Sequence, residues 1–196
     1  MPAMSARFLY LQAANALTDT AYCRPWLAAN PAQHDPFFSF NHRFKPLGEM
    51  LMRAVIQRVS KASVRVERNQ ISQIGHGLLV FLCVMQGDTL KTAEKMVSKI
   101  MNMRIFKDER GRMNRALHDS GGDVLLISQF TLAADLSSGN RPRFSAAAPA
   151  ETGQSLYEYC IDTFRAKGVL VQTGVFGANM EVNLVNDGPV TISVEI

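Results

Sequence analysis

Two short stretches hold the polar residues best placed to do chemistry. The apolar run Asp123-Val-Leu-Leu-Ile127 ends in Ser128-Gln-Phe-Thr131, three hydrogen-bonding side chains around one aromatic. A strand that ends this way aims hydroxyls, an amide and free backbone N–H groups at one point, an arrangement suited to holding a ligand or a developing oxyanion. Alone, the same residues also describe a strand that simply emerges into a turn. The second stretch, Asn186-Asp-Gly-Pro-Val-Thr191, lies between Met180-Glu-Val-Asn-Leu-Val185 and Val190-Thr-Ile-Ser-Val-Glu-Ile196, both of which alternate. Asn-Asp-Gly-Pro predicts a hairpin turn between two strands. At Gly188–Pro189 the proline removes most of the trans preference of the peptide bond, so a cis bond is open to it.

Other constellations are missing. The four histidines are His34, His42, His76 and His118, and none has metal-ligand spacing with cysteine or carboxylate. No metal and no cofactor are expected. There is no GxSxG elbow, no phosphate-binding loop and no GxGxxG. A Ser-His-Asp triad assembles in space rather than along the chain, so the sequence leaves it open.

The elements that must position the two stretches follow from periodicity. Arg53–Val59 alternates in part and Ala62–Glu67 cleanly, which predicts two strands, with Gln70–Ile74 as a hairpin partner. Gly77–Met85 is apolar throughout most of its length and reads as a strand buried on both faces. Asp88 or Thr89 is placed to cap a helix in which Leu90, Ala93, Val97, Ile100 and Met101 recur at helical spacing, widened by Met96 and Met103. That methionine row reads as core packing rather than a binding surface. A polar loop spans Asp135–Ser145. Pro149 then opens a second helix with Leu156, Tyr159, Cys160 and Phe164 inward, and Gly168 ends it. About seven strands and two long helices, without regular strand–helix alternation, predict an α/β or α+β domain on a largely antiparallel or barrel-like sheet.

Composition sets outer limits. The chain has 196 residues, 47% hydrophobic and 19% charged, enough for one core or for one domain with an appendage. No apolar run reaches the ~18 residues of a membrane span. A net charge of +4 permits a polyanionic partner without demanding one. Cys23, Cys83 and Cys160 are odd in number and widely spaced, which suits buried thiols in a reducing compartment. Residues 1–51 differ from the rest. Ala6–Leu17 could form a short helix, but Pro31–Pro46 has no period and scattered prolines. The absence of acids between Arg7 and Asp19 is a feature of transit peptides, yet the segment is poor in arginine. The expectation is a poorly ordered extension, 1–51, outside a domain spanning 52–196.

The two stretches together resemble the signatures of the D-aminoacyl-tRNA deacylase family, in the branch found in bacteria and most eukaryotes. Ser128-Gln-Phe-Thr131 matches its first signature and Asn186-Asp-Gly-Pro-Val-Thr191 its second. Met52-Arg-Ala-Val-Ile-Gln-Arg-Val-Ser-Lys-Ala-Ser-Val64 looks like the family's N-terminus. Gly111–Asn114, Arg141–Phe144 and Thr173–Ala178 fall in the family's order. The resemblance covers Met52 to Ile196, and residues 1–51 have no counterpart in it.

The resemblance implies a compact, barrel-like α/β homodimer, located in the cytoplasm, that hydrolyses the ester joining a D-amino acid to the 3′-terminal adenosine of tRNA. Ser128, Gln129, Phe130 and Thr131 would form the catalytic site. Backbone N–H groups near Gln129 and Phe130 are the candidate oxyanion donors. Thr131 is the natural suspect for a nucleophile, but no base beside it is evident. Attack by water, assisted by the ribose 2′-hydroxyl, is the favoured route, with Ser128 and Thr131 shaping the pocket. Gly188 and Pro189 of one subunit would enter the other's site and reject L substrates through rigid backbone. Arg58 is the candidate anchor of that motif across the dimer. A filter that excludes an L side chain sterically cannot reject glycine, so glycyl-tRNA, mischarged on tRNA(Ala) above all, is an expected substrate. Two other readings stay open: an RNA-binding module without chemistry, and a generic serine or threonine esterase.

Overall fold

A computed structural model describes residues 51–196. The expectations for residues 1–50, Cys23 among them, lie outside these described residues. The first element is one long strand, β1 (Arg53–Val66), where the sequence suggested two. It turns tightly through Glu67 and Arg68, both at positive φ, into β2 (Asn69–Ile74). β3 (Gly77–Cys83) returns along β1. Helix α1 (Leu90–Asn102) follows, then a small hairpin of β4 (Phe106–Lys107) and β5 (Met113–Arg115) and one helical turn, α2 (Leu117–Ser120). β6 (Asp123–Ser128), a 3₁₀ turn (Phe130–Ala133), α3 (Ala150–Ala166), β7 (Val171–Thr173) and β8 (Glu181–Glu195) complete the order. The β4–β5 hairpin and α2 are too short to leave a periodic signal and were not expected.

The sheet runs β2-β1-β3-β6-β7, with β8 on the other side of β1. Pairings within β1, β2, β3 and β8 are antiparallel; β3–β6 and β6–β7 are parallel. The largely antiparallel expectation therefore holds for the ribbon around β1, while the strand carrying Ser128 sits in a parallel patch. Ser72 Oγ on β2 donates to Thr173 O on β7 at 2.7 Å, drawing the two ends of the sheet together into a nearly closed, barrel-like form. The parallel patch starts where Gly77 passes Asp123: a Cβ there would lie 2.0 Å from Asp123 O, so only glycine permits the approach.

Two large cores share this sheet, with a small cluster of Cys83, Met85 and Ala133 at the end of β3. Leu78, Val80, Leu82, Val124 and Leu126 face the helices, packing on Met96, Val97, Ile100, Leu156, Cys160 and Phe164. Leu79, Leu125 and Ile127 face the barrel interior with Val59, Val64 and Ile74. Strands between two apolar layers must be apolar at every position, which is why β3 and β6 read as continuous runs. β1 changes sides: Ala54 and Ile56 belong to the first core, Ala62 and Val64 to the second. A bulge around Val59–Lys61 makes the switch by advancing the alternation by one residue.

Some local expectations shift. Thr89 caps α1 through a reciprocal box with Thr92. Leu90 is 53% exposed and leaves the core to the methionines. Pro149 precedes α3 as its N-cap. Tyr157 is the fully inward tyrosine, with its hydroxyl donating to Leu126 O at 2.7 Å, while Tyr159 is half-buried at the edge of the same core. Tyr159 instead reaches Glu94 at 2.6 Å. Among the described residues no helix is long and apolar enough to cross a membrane.

Candidate active site

The parallel pairing of β6 with β3 decides where the first stretch points. Ser128 is the last residue in register, opposite Leu82. Gln129 extends the ladder by one more bond, its N–H donating to Leu82 O at 2.8 Å. This corrects one expectation: the Gln129 N–H is committed to the sheet and is not free to hold an oxyanion. The chain then tightens into the 3₁₀ turn, whose first N–H groups have no partner within the turn. The N–H groups of Phe130 and Thr131 have no acceptor among the described residues. Two adjacent main-chain donors are thus left at the strand's end, one residue later than half of the expected pair.

Those donors border a cleft of about 650 Å³. Ser128, Gln129, Phe130 and Thr131 all line it, so the structure brings the four predicted residues together. Gln129 Nε2 donates to Thr131 Oγ1, tying two of their side chains. Phe130 is 59% exposed and meets Phe144 edge to face, 5.1 Å between ring centroids. The segment carrying Phe144 is fixed along the end of β3: Gln86 N–H donates to Ala146 O and Ala148 N–H to Val84 O, each at 3.0 Å. The opposite wall is Phe176–Met180 with Val182, and Gly153 near the start of α3. Phe176 packs on Tyr157, which β6 in turn holds through Leu126. Of these walls, Phe144 and Phe176 lie in stretches the sequence had marked. Ala147, Ala148, Met180 and Val182 were missed, because apolar residues around a pocket carry the same pattern as core.

Electrically the cleft is neutral. Among the described residues no aspartate, glutamate, histidine, lysine or arginine lines it. Its one titratable group is the Cys83 thiol, whose pKa is pushed up chiefly by burial, against a lowering by Arg53. The thiol contacts Met85 Sδ and the Phe130 carbonyl, each at 3.6 Å. A thiol held protonated is not a nucleophile. Thr131 likewise has no base beside it among the described residues. Among the described residues no three His, Cys, Asp or Glu side chains gather as metal ligands.

The second stretch lies elsewhere, and not as a hairpin turn. β8 passes through it without reversing direction, and both flanks pair with β1. Thr191 pairs Gln57 and Asn186 pairs Val59, so Asp187–Val190 bulges out opposite the single residue Arg58. Asn186 clamps the bulge: its Oδ1 accepts from Val190 N at 2.9 Å and its Nδ2 donates to Val190 O at 3.2 Å. Arg58 is 2% exposed, and its Nε donates to Asp187 O at 3.1 Å and meets Asp187 Oδ2 at 2.9 Å. Its guanidinium also donates to Ile105 O. Arg58 therefore holds the motif of its own chain and is no surface arginine. The Gly188–Pro189 bond is cis, Gly188 has φ +150°, and both residues are exposed. Neither lines the cleft formed by Ser128–Thr131 of the same chain.

Comparison with known proteins places this architecture. A family model described as D-Tyr-tRNA(Tyr) deacylase matches residues 55–195. The D-aminoacyl-tRNA deacylase of Jannaschia sp. (strain CCS1) is 60% identical over 141 residues, covering 72% of this chain and 96% of that protein. The protein of the same name from Ruegeria pomeroyi is 56% identical over 145 residues, 74% of this chain and its entire length. Among solved structures, the c-Myc DNA Unwinding Element Binding Protein superposes with TM-score 0.70 at 42% identity, over 74% of this chain and 98% of that one. A structure described as a probable eukaryotic D-amino acid tRNA deacylase shares the fold, with TM-score 0.65 at 17% identity, over 74% and 99%. With both signatures in place and relatives matched along almost their whole length, the chain belongs to the D-aminoacyl-tRNA deacylase family.

Proposed function

We propose that this protein hydrolyses the ester of D-aminoacyl-tRNA, releasing free amino acid and tRNA, and spares L-aminoacyl-tRNA. The observation that carries the reading is the pair of N–H groups at Phe130 and Thr131 that have no acceptor among the described residues, on residues lining a cleft to which no described acid or base contributes. Ester hydrolysis needs donors aimed at the developing oxyanion, and preorganised main-chain N–H groups serve this in a dry site. It also needs an attacking oxygen. The cleft offers no base to activate Thr131, so water attacks, assisted by the 2′-hydroxyl of the terminal ribose. Ser128 and the Gln129–Thr131 pair hydrogen-bond the substrate and hold the pocket's shape.

Chiral selection falls to Gly188 and Pro189. They are exposed on their own subunit and held by Arg58 and Asn186. Such a motif serves a neighbour's cleft, so the active form is a homodimer in which each copy completes the other's site. A backbone selector excludes an L side chain by contact and has no means of excluding glycine, which makes glycyl-tRNA, in particular glycyl-tRNA(Ala), a substrate. The tRNA is held at its 3′-terminal adenosine and through phosphate contacts, in the cytoplasm where charged tRNA is used.

A nucleic-acid-binding role without chemistry is the second reading, favoured by the 42%-identical c-Myc DNA Unwinding Element Binding Protein. Incubation with D-tyrosyl-tRNA, L-tyrosyl-tRNA and glycyl-tRNA(Ala) separates the two. Release of D-tyrosine and glycine is expected, with L-tyrosyl-tRNA intact. Binding without release of any amino acid supports the second reading. A generic esterase would also cut the L ester and would be inactivated by a serine-reactive phosphonate.

A further inference from the structure

Met52 N–H donates to Asp88 Oδ1 at 3.1 Å, and the other carboxylate oxygen accepts from Met85 N–H at 2.7 Å. We propose that the working form of this protein begins at Met52, by initiation at that codon, and that Asp88 is the receptor for its α-ammonium group.

Three observations support the assignment independently of the catalytic reading. First, Met52 is already locked in place. Its side chain is wholly buried in the helix-facing core and its carbonyl accepts from Ile196 N–H at 3.0 Å. The nitrogen of residue 52 is therefore delivered to the carboxylate by the fold itself, whatever precedes it. Secondly, Asp88 has no lysine or arginine in salt-bridge contact among the described residues; the four ion pairs there use other acids. Burial raises its pKa to about 6, outweighing the two N–H bonds that lower it. A half-buried carboxylate bonded by two peptide N–H groups, with only the Cys83 and Cys160 thiols, both pushed up by burial, as titratable neighbours, is a site that lacks a cation. An ammonium on Met52 supplies one at the distance the peptide nitrogen now occupies. Thirdly, a relative matched along its entire length spans 145 residues of this chain, which leaves 51 of the 196 without counterpart.

The two forms differ in the sign of their pH dependence. In the extended chain the folded carboxyl has the higher pKa, so its contribution is present at low pH and lost as pH rises through about 6. With an α-ammonium beside it, the carboxyl pKa falls and the amine pKa rises. The contribution then appears as pH rises past the ordinary aspartate value of about 4, and fades only above the ordinary amine value of about 8.

The gene is expressed untagged with its own upstream sequence, and the N-terminal peptide is identified by mass spectrometry. A major species beginning at Met52 is expected; a major species that retains residues before Met52 overturns the proposal. In a second measurement, the full chain carries a protease site ending at residue 51, so that one preparation is compared before and after the cut. Cutting should raise Tm at pH 7 by about 3 °C or more and reverse its slope between pH 4 and 6. Asp88→Asn should abolish both effects. An unchanged slope, or an equal gain in Asp88→Asn, removes the receptor role.

Discussion

At Thr131 the hydroxyl is held by Gln129 and no acid or base reaches it from the cleft. If the main chain and the tRNA do the chemistry, Thr131→Ala keeps activity within about tenfold of the parent. A substrate ending in 2′-deoxyadenosine loses ~100-fold or more, the scale of a lost proton-transfer group. Single-turnover rates on both measure this, and an aminoacyl ester trapped on Thr131 would reverse the assignment. Cys83→Ser is expected to leave the rate within a few-fold, because the buried thiol packs behind Phe130 and is not ionised. Gly188 is less forgiving. A Cβ there would lie 2.7 Å from Val190 N, so Gly188→Ala must displace the exposed bulge. A displacement near 1 Å costs on the order of 100-fold in rate, and melting temperature should change little because Gly188 itself is exposed.

The elements explain which features the sequence could show. Ser128–Thr131 was legible because a buried strand ending in polar residues is conspicuous along the chain. The Asn186–Thr191 stretch was legible as a break in alternation but not as a bulge. A chain that reverses and a chain that steps out of register and continues share Asn, Gly and Pro for the same reason, a demand for unusual backbone. Only the pairing of both flanks with β1 distinguishes them. The choice of Tyr157 over Tyr159 was legible but passed over: the two stand ~160° apart around the helix, and only Tyr157 shares the face of Leu156, Cys160 and Phe164. Tyr157 binds Leu126 O on the strand that carries Ser128, so Tyr157→Phe should cost about 1 kcal/mol in chemical unfolding. Arg58 illustrates a different loss of information. A lone arginine in an alternating strand gives no sign of burial, yet here it sits opposite the one place where β8 bulges. Arg58→Leu should release the bulge and lower activity at least tenfold, with a stability loss of ~1–3 kcal/mol, since its partner Asp187 is partly solvated.

For the whole molecule, if Gly188–Pro189 selects the substrate as proposed, its separation from the cleft of the same chain requires a pair of chains for activity. Mixing an inactive Gly188→Ala variant with a variant whose cleft is blocked, such as Gly153→Trp, should restore activity, because one of the two sites in the mixed dimer is intact. Affinity for tRNA should fall steeply with salt, as phosphate contacts require. The most direct measurement is the initial rate of amino acid release from matched D- and L-tyrosyl-tRNA at equal enzyme concentration. Rapid release from the D ester with the L ester left at its spontaneous rate is the predicted result. Equal rates on both esters, or no release from either, would contradict it.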